Sequence, residues 1–232
     1  MYRTFAIIAF LISFQSFAQD LIAKVEPLFR SGITITYEYD SLGRQTVQKS
    51  KYSTYKFLYS ENLVERCYDT LCIKLFLNEN GHEEKRVHYN DSTILSISQY
   101  NKKGNLIYWK LIDDWGTHSR ITERRSVYEN GNLVEEIDIV TSNSSIDTTI
   151  KETSRKFEHY LDKTNSLDNE AYGTSYLGVS SKNLLKKIVH PNGSEILFEY
   201  EYDDKGRIIR QNRSVIGSVS GRESTLFEYL DN

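Results

Sequence analysis

A turn signature that recurs along the chain constrains its fold more than any other feature. Tyr39-Asp40-Ser41-Leu42-Gly43-Arg44, Tyr100-Asn101-Lys102-Lys103-Gly104-Asn105 and Tyr202-Asp203-Asp204-Lys205-Gly206-Arg207 share one layout. Asp or Asn opens the turn, where its side chain accepts hydrogen bonds from backbone N–H groups further round. A Gly three residues later takes the left-handed conformation that a side chain resists. The combination predicts a type I turn closed by a G1 bulge. Asn78-Glu79-Asn80-Gly81 is a fourth copy. Asp162-Lys163-Thr164-Asn165 and Ser180-Ser181-Lys182-Asn183 read as weaker copies, with Asn in the Gly place. Asn130-Gly131 and His190-Pro191-Asn192-Gly193 add hairpin signals of slightly different form.

The segments between turns alternate. Ile33, Ile35, Tyr37 and Tyr39 oppose Thr34, Thr36, Glu38 and Asp40; Ile196, Phe198, Tyr200 and Tyr202 oppose Leu197, Glu199, Glu201 and Asp203. A period of two puts rings and aliphatic groups on one face and mostly charges on the other. That is an antiparallel sheet with one dry and one wet face. From Gly81 to Gly104 is 23 residues and from Gly104 to Gly131 is 27, room for two strands and two turns. The expected fold is all-β: a large antiparallel meander of consecutive hairpins forming one curved sheet, or an open or half barrel. So broad a sheet must curl, close or cover its apolar face. Residues 20–30 read as one short helix interrupted by Pro27. Thr141 to Thr149 lacks bulk and reads as a hairpin tip. Residues 161–178 gather Asp, Asn, Ser and Gly, and read as a break or long insertion within a single domain of residues 19–232.

Arg3, the apolar run Phe5 to Phe14 and the small-x-small site Ser16-Phe17-Ala18 form a secretory signal peptide over residues 1–18. The apolar run is shorter than the ~20 residues that a spanning helix needs. The expected location is therefore exported: periplasm, cell surface or medium. Cys67 and Cys72 are the only cysteines and bracket Tyr68-Asp69-Thr70-Leu71. If Asp69-Thr70 is a two-residue loop, Cys67 lies opposite Cys72 with Cα atoms about 4.5 Å apart. That distance is at the short end of disulfide geometry, and an exported chain is oxidised, so a cross-strand disulfide is expected.

The net charge of −3 excludes nucleic-acid binding through a bulk positive field. The five His residues are scattered; His82 and His88 fall in one expected strand and could share a face. No metal-ligand spacing, phosphate-cradling loop or nucleophile motif occurs, so neither metal nor cofactor is expected. Candidate ligand-binding residues are Trp109, Trp115 and His118, beside Asp113-Asp114, together with Tyr37, Tyr39, Tyr200 and Tyr202 on the ring-rich face. Exposed Trp and Tyr offer flat apolar surfaces to sugar rings or partner chains. The expected function is an exported, non-catalytic β-sheet binding or structural protein whose partner is a glycan or a cell-envelope protein. An outer-membrane barrel is the alternative; it needs an apolar outer band with aromatic girdles, and mid-strand Glu199 and Glu201 would then have to line a lumen. A hydrolase acting on polysaccharide or peptidoglycan is the second alternative, and needs a deep pocket with a carboxylate pair.

The Tyr-Asp-x-x-Gly-Arg units at 39–44 and 202–207 resemble YD repeats of Rhs-type wall and toxin-shell proteins. The segment Ser181 to Ile188, followed by Phe198 to Arg207, looks like the C-terminal part of uncharacterised exported bacterial proteins with a porin-like fold. Both resemblances imply a curved antiparallel sheet of side-by-side hairpins, and neither supplies catalytic residues. The chain is far shorter than an Rhs shell and shows no toxin cargo, so encapsulation does not transfer.

Overall fold

The computed structural model describes residues 20–28, 33–88, 90–144, 146–217 and 221–230. The signal peptide expected over residues 1–18 lies outside them. Sixteen strands follow one another: β1 (Ile22–Pro27), β2 (Ile35–Tyr39), β3 (Gln45–Lys49), β4 (Thr54–Ser60), β5 (Leu63–Tyr68), β6 (Leu71–Leu77), β7 (Glu83–His88), β8 (Ile94–Tyr100), β9 (Leu106–Asp114), β10 (Ser119–Glu129), β11 (Asn132–Asn143), β12 (Thr148–Thr164), β13 (Asn183–Val189), β14 (Glu195–Tyr202), β15 (Ile208–Ile216) and β16 (Gly221–Tyr229). Each pairs antiparallel with its neighbours in sequence, and β16 returns to β1, so the meander closes into a barrel. Closure leaves no free edge along most of the sheet.

The repeated turns form as their chemistry requires. Asp40 Oδ1 accepts from the backbone N–H of Leu42 and of Arg44, and Gly43 sits at φ 73°. Asn78, Asn101 and Asp203 repeat the arrangement, and the strand register shifts by a bulge beside each turn. Asp69-Thr70 is a two-residue loop, and the disulfide Cys67–Cys72 bridges it with Cα atoms 4.0 Å apart.

Three expectations are corrected. The expected helix over residues 20–30 is, in its described part (20–28), strand β1: pairing with β16 on one side and β2 on the other outweighs the local pattern, and Pro27 falls at the strand's last position, where it interrupts nothing. The weaker Asn-ended turn copies are not separate hairpins. Residues 162–164 continue β12 and Asn183 opens β13; Asn183 Nδ2 donates to the carbonyls of Leu161 and Lys163, and Asn165 N donates to Lys182 O at 3.0 Å. His82 precedes β7 and stacks on Tyr100 with ring centroids 4.9 Å apart, while His88 ends the strand opposite Ile73, so the two do not fall in one strand as expected.

Because hairpins alternate, the turns after even-numbered strands gather at one end of the barrel and those after odd-numbered strands at the other. The 16 strands, at about 4.8 Å each, give a diameter of roughly 25 Å before tilt, too wide for side chains alone to fill. Residues 165–182, between β12 and β13, fold back and fill one end as a plug. Ile22 N and Gln45 N donate to the plug carbonyls of Ala171 and Gly173, while plug Val179 N and Lys182 N donate to the turn carbonyls of Gly104 and Gly131. Two apolar clusters sit beneath it. One joins Ala171 to Ile22, Leu184, Ile208 and Phe227; the other seats Tyr176 among Phe57, Val64 and Leu75.

Candidate functional site

The seating of Tyr176 against Phe57, Val64 and Leu75 fixes which face of the sheet is inner. Strand register carries that assignment round the wall. Leu75 lies opposite Arg86, Arg86 opposite Ser96, and Ser96 opposite Leu111. One residue pair along the same face, Ser98, Trp109, Arg124, Asp138 and Thr153 form a row across five strands. Beyond the plug, the inner wall over β8–β12 is thus polar and ring-bearing, unlike the apolar clusters beneath it.

An ion-pair lattice organises this wall. Arg124 donates to both oxygens of Asp138, Nε to Oδ1 at 2.7 Å and Nη2 to Oδ2 at 3.0 Å. Arg155 Nη2 bridges Glu136 (2.8 Å) and Asp138 (3.3 Å), and Arg124 Nη1 stands 3.7 Å from Glu136. Arg124 also lies over the Trp109 ring, 5.8 Å from its centroid. Burial pushes the Glu136 carboxyl up, against the pull of Arg124 and Arg155; the hydrogen bond from Arg124 to Asp138 raises the guanidinium's own value, against burial. Nearer the plug, Arg86 pairs with buried Glu83 at 2.8 Å, and Arg66 lies 5.4 Å over the Tyr55 ring. Burial, then the neighbouring Arg86, lowers the Arg66 value. Planar guanidinium donors, carboxylates, hydroxyls and an indole on one concave wall suit a ligand rich in hydroxyl or charged oxygen groups. Among the described residues, no group of His, Cys, Asp and Glu is arranged to hold a metal.

The expected site residues separate into three places. Trp109 is on the inner wall. Trp115 and His118 lie at the rim opposite the plug, in the β9–β10 tip. Trp115 is 65% exposed and, with His118, Arg120 and Asp147, borders a groove of about 420 Å³. Tyr37, Tyr39 and Tyr200 face inward but under the plug. Tyr37 packs edge-on against Tyr172 at 5.7 Å, the Tyr39 hydroxyl donates to Ile22 O, and the Tyr200 hydroxyl donates to Leu185 O at 2.8 Å. Burial pushes Tyr37 and Tyr200 up to about 12 and raises Tyr39 as well. Tyr202, at the same end, is 39% exposed with the Lys163 ammonium 5.5 Å over its ring.

Arg124, Glu136, Asp138 and Arg155 were not among the sequence candidates. In Glu136-Ile137-Asp138-Ile139 the apolar residues face out and the charges face in, the reverse of the pattern seen in β2 and β14. A sequence signal did exist: inward cations over β5–β12 are mostly Arg, whereas outward cations over the same strands are mostly Lys.

No family model matches the chain, and no curated protein matches it. A porin-like protein from Bacteroides uniformis is similar in structure, with a TM-score of 0.54 at 12% identity over 90% of this chain and 98% of that one. A porin-like protein from Bacteroides vulgatus gives a TM-score of 0.50 at 11% identity over 91% and 99%. At these identities the likeness is one of fold. The porin-like fold implied by the C-terminal segment is therefore present; neither match bears on the YD-repeat resemblance.

Proposed function

We propose that the chain is an exported, water-facing β-barrel that binds a ligand without turning it over, admitting a glycan or other hydroxyl-rich chain through its open end. The observation that carries this reading is the inner wall of Trp109, Arg124, Glu136, Asp138 and Arg155, set in a lumen whose other end is filled by residues 165–182. The two carboxylates resemble an acid–base pair in position only. Each is held by two arginines, which suits fixed recognition better than proton transfer. Export accords with the disulfide. The YD-type units enter as turn chemistry that sets hairpin register.

Two features favour water over lipid outside the barrel. Outward positions carry ion pairs: Lys24 with Glu26 along β1 and with Glu228 across to β16, Lys110 with Glu123, Lys187 with Glu158 and Glu195, and Arg210 with Glu201. A Lys or Arg on the lipid face costs ~2–4 kcal/mol at the midplane. Strands β2–β8 have five to seven residues, fewer than the ~9–11 that cross a bilayer. The closed barrel and porin-like fold favour the membrane reading as a second choice.

The test uses residues 19–232 in detergent-free buffer, titrated with neutral and acidic oligosaccharides. Trp109 and Trp115 are the only tryptophans, so their emission reports binding. Trp109→Ala is expected to weaken binding by roughly two- to tenfold, an aromatic platform contributing about 0.5–1.5 kcal/mol. Insolubility without detergent together with bilayer conductance would move the protein to the membrane reading, and hydrolysis of a titrated glycan would make it an enzyme.

A further inference from the structure

The two neighbours of β12 cover different lengths of it. β11 pairs with Thr148 through Lys156. β13 meets β12 only from Lys156 onward, opposite Val189, before the chain turns away at His190. Over residues 148–155 no described strand lies on the side of β12 away from β11. Ser144 N donates to Asp147 O at 2.8 Å, so that pair is hydrogen-bonded and the ladder alternates from it. Thr149, Lys151, Thr153 and Arg155 direct their backbone groups to β11. Thr148, Ile150, Glu152 and Ser154 direct theirs to the open side. Such an edge is a template for another strand, and Ile150 on it is 71% exposed.

We infer that this edge pairs with the same edge of a second copy, antiparallel, about a two-fold axis at Ile150. A two-fold axis normal to the sheet keeps outward side chains outward, so it must pass through a residue position and not between two. An axis at Lys151 sets that ammonium against itself, and an axis at Glu152 does the same with carboxylates. Both also push the partner's hairpin tip toward the stretch of β12 that β13 already covers. An axis at Ile150 brings the two isoleucines together, sets Thr148 opposite Glu152 and Thr149 opposite Lys151, and ends with Asp147 opposite Thr153, clear of β13. It also joins two apolar rows. Ile112, Ile121, Thr141 and Ile150 run across the outer face of β9–β12, and the axis continues that row into the second copy. This self-complementarity selects a second copy over a foreign strand. The contact is small beside the ~1,200 Å² of stable interfaces, so dimers are expected at roughly tens of micromolar and above.

Sedimentation of the oxidised protein over a concentration series tests this. The native chain is expected to shift from monomer to dimer. Ile150→Pro removes an N–H that the fold itself does not use, and is expected to remain monomeric with an unchanged circular dichroism spectrum. Ile150→Cys is expected to cross-link across the axis, where Cα atoms lie about 5.5 Å apart. Glu152→Cys places its two copies about 13 Å apart and is expected not to link. A monomer throughout, a dimer that survives Ile150→Pro, or linking at position 152 but not 150 overturns the inference. A monomer that instead takes an added extended peptide at this edge overturns the second copy as its occupant.

Discussion

Gly173→Ala probes how the plug is held. Gly173 has φ +63°, and a Cβ there would stand 2.6 Å from Gly43 O, 2.7 Å from Gln45 N and 2.7 Å from Tyr39 Cε1. Two of these are backbone atoms of the β2–β3 turn and its following strand, and the third belongs to a ring already fixed by its hydrogen bond to Ile22 O. None can retreat without breaking the Gln45 N to Gly173 O bond. The left-handed backbone alone costs a side chain about 1–2 kcal/mol. Overpacking adds about 1–3 kcal/mol. Gly81 supplies the control, with φ +78° and nothing within 4 Å of the added Cβ. Urea unfolding should therefore show Gly173→Ala costing at least about 1 kcal/mol more than Gly81→Ala, with early proteolysis within residues 165–182. Equal losses for the two variants, or cleavage no faster in the plug, would refute the claim that residues 165–182 dock tightly on the turn end.

Two further outcomes follow from the turns and the disulfide. Burial pushes Asp40 and Asp203 up, but the side chains and backbone N–H groups of Arg44 and Arg207, with a further backbone N–H in each turn, outweigh it and hold both carboxyls below the usual 3.8. A folded value below the unfolded one stabilises above the unfolded value and is lost as pH falls through the folded one. Melting temperature should thus drop below pH 3.8, and Asp40→Asn with Asp203→Asn should flatten that drop; an unchanged slope would count against it. The Cys67–Cys72 bridge spans a sequence separation of 5 and lies on the outer face, opposite Lys56, so reduction should lower stability by about 2 kcal/mol in urea with and without a thiol reagent.

Local chemistry made the fold legible. Asp40, Asn78, Asn101 and Asp203 each specify a turn with a left-handed Gly, and two-residue alternation in β2 and β14 identifies the inner face. Closure was less legible, because the β1–β16 pairing joins residues over 200 apart, such as Lys24 and Glu228, and no local pattern encodes it. The candidate site was the least legible part. Tyr37, Tyr39 and Tyr200 follow the expected dry face, but residues 165–182 cover them. The polar inner wall arises in β10–β12, where Ile121, Ile137 and Ile139 face out, so the rule that apolar residues face inward fails where the lumen is wide enough for water.

Amide hydrogen exchange in detergent-free buffer tests the plugged, closed barrel most directly, read at Ile22, Gln45, Val179 and Lys182. These four amides hydrogen-bond across the boundary between the plug and four separate parts of one rim. Slow exchange at all four, alongside protected amides in β1 and β16, is the expected result. Fast exchange there with the rest of the sheet protected would contradict the plug, and fast exchange along β1 and β16 would contradict the closure.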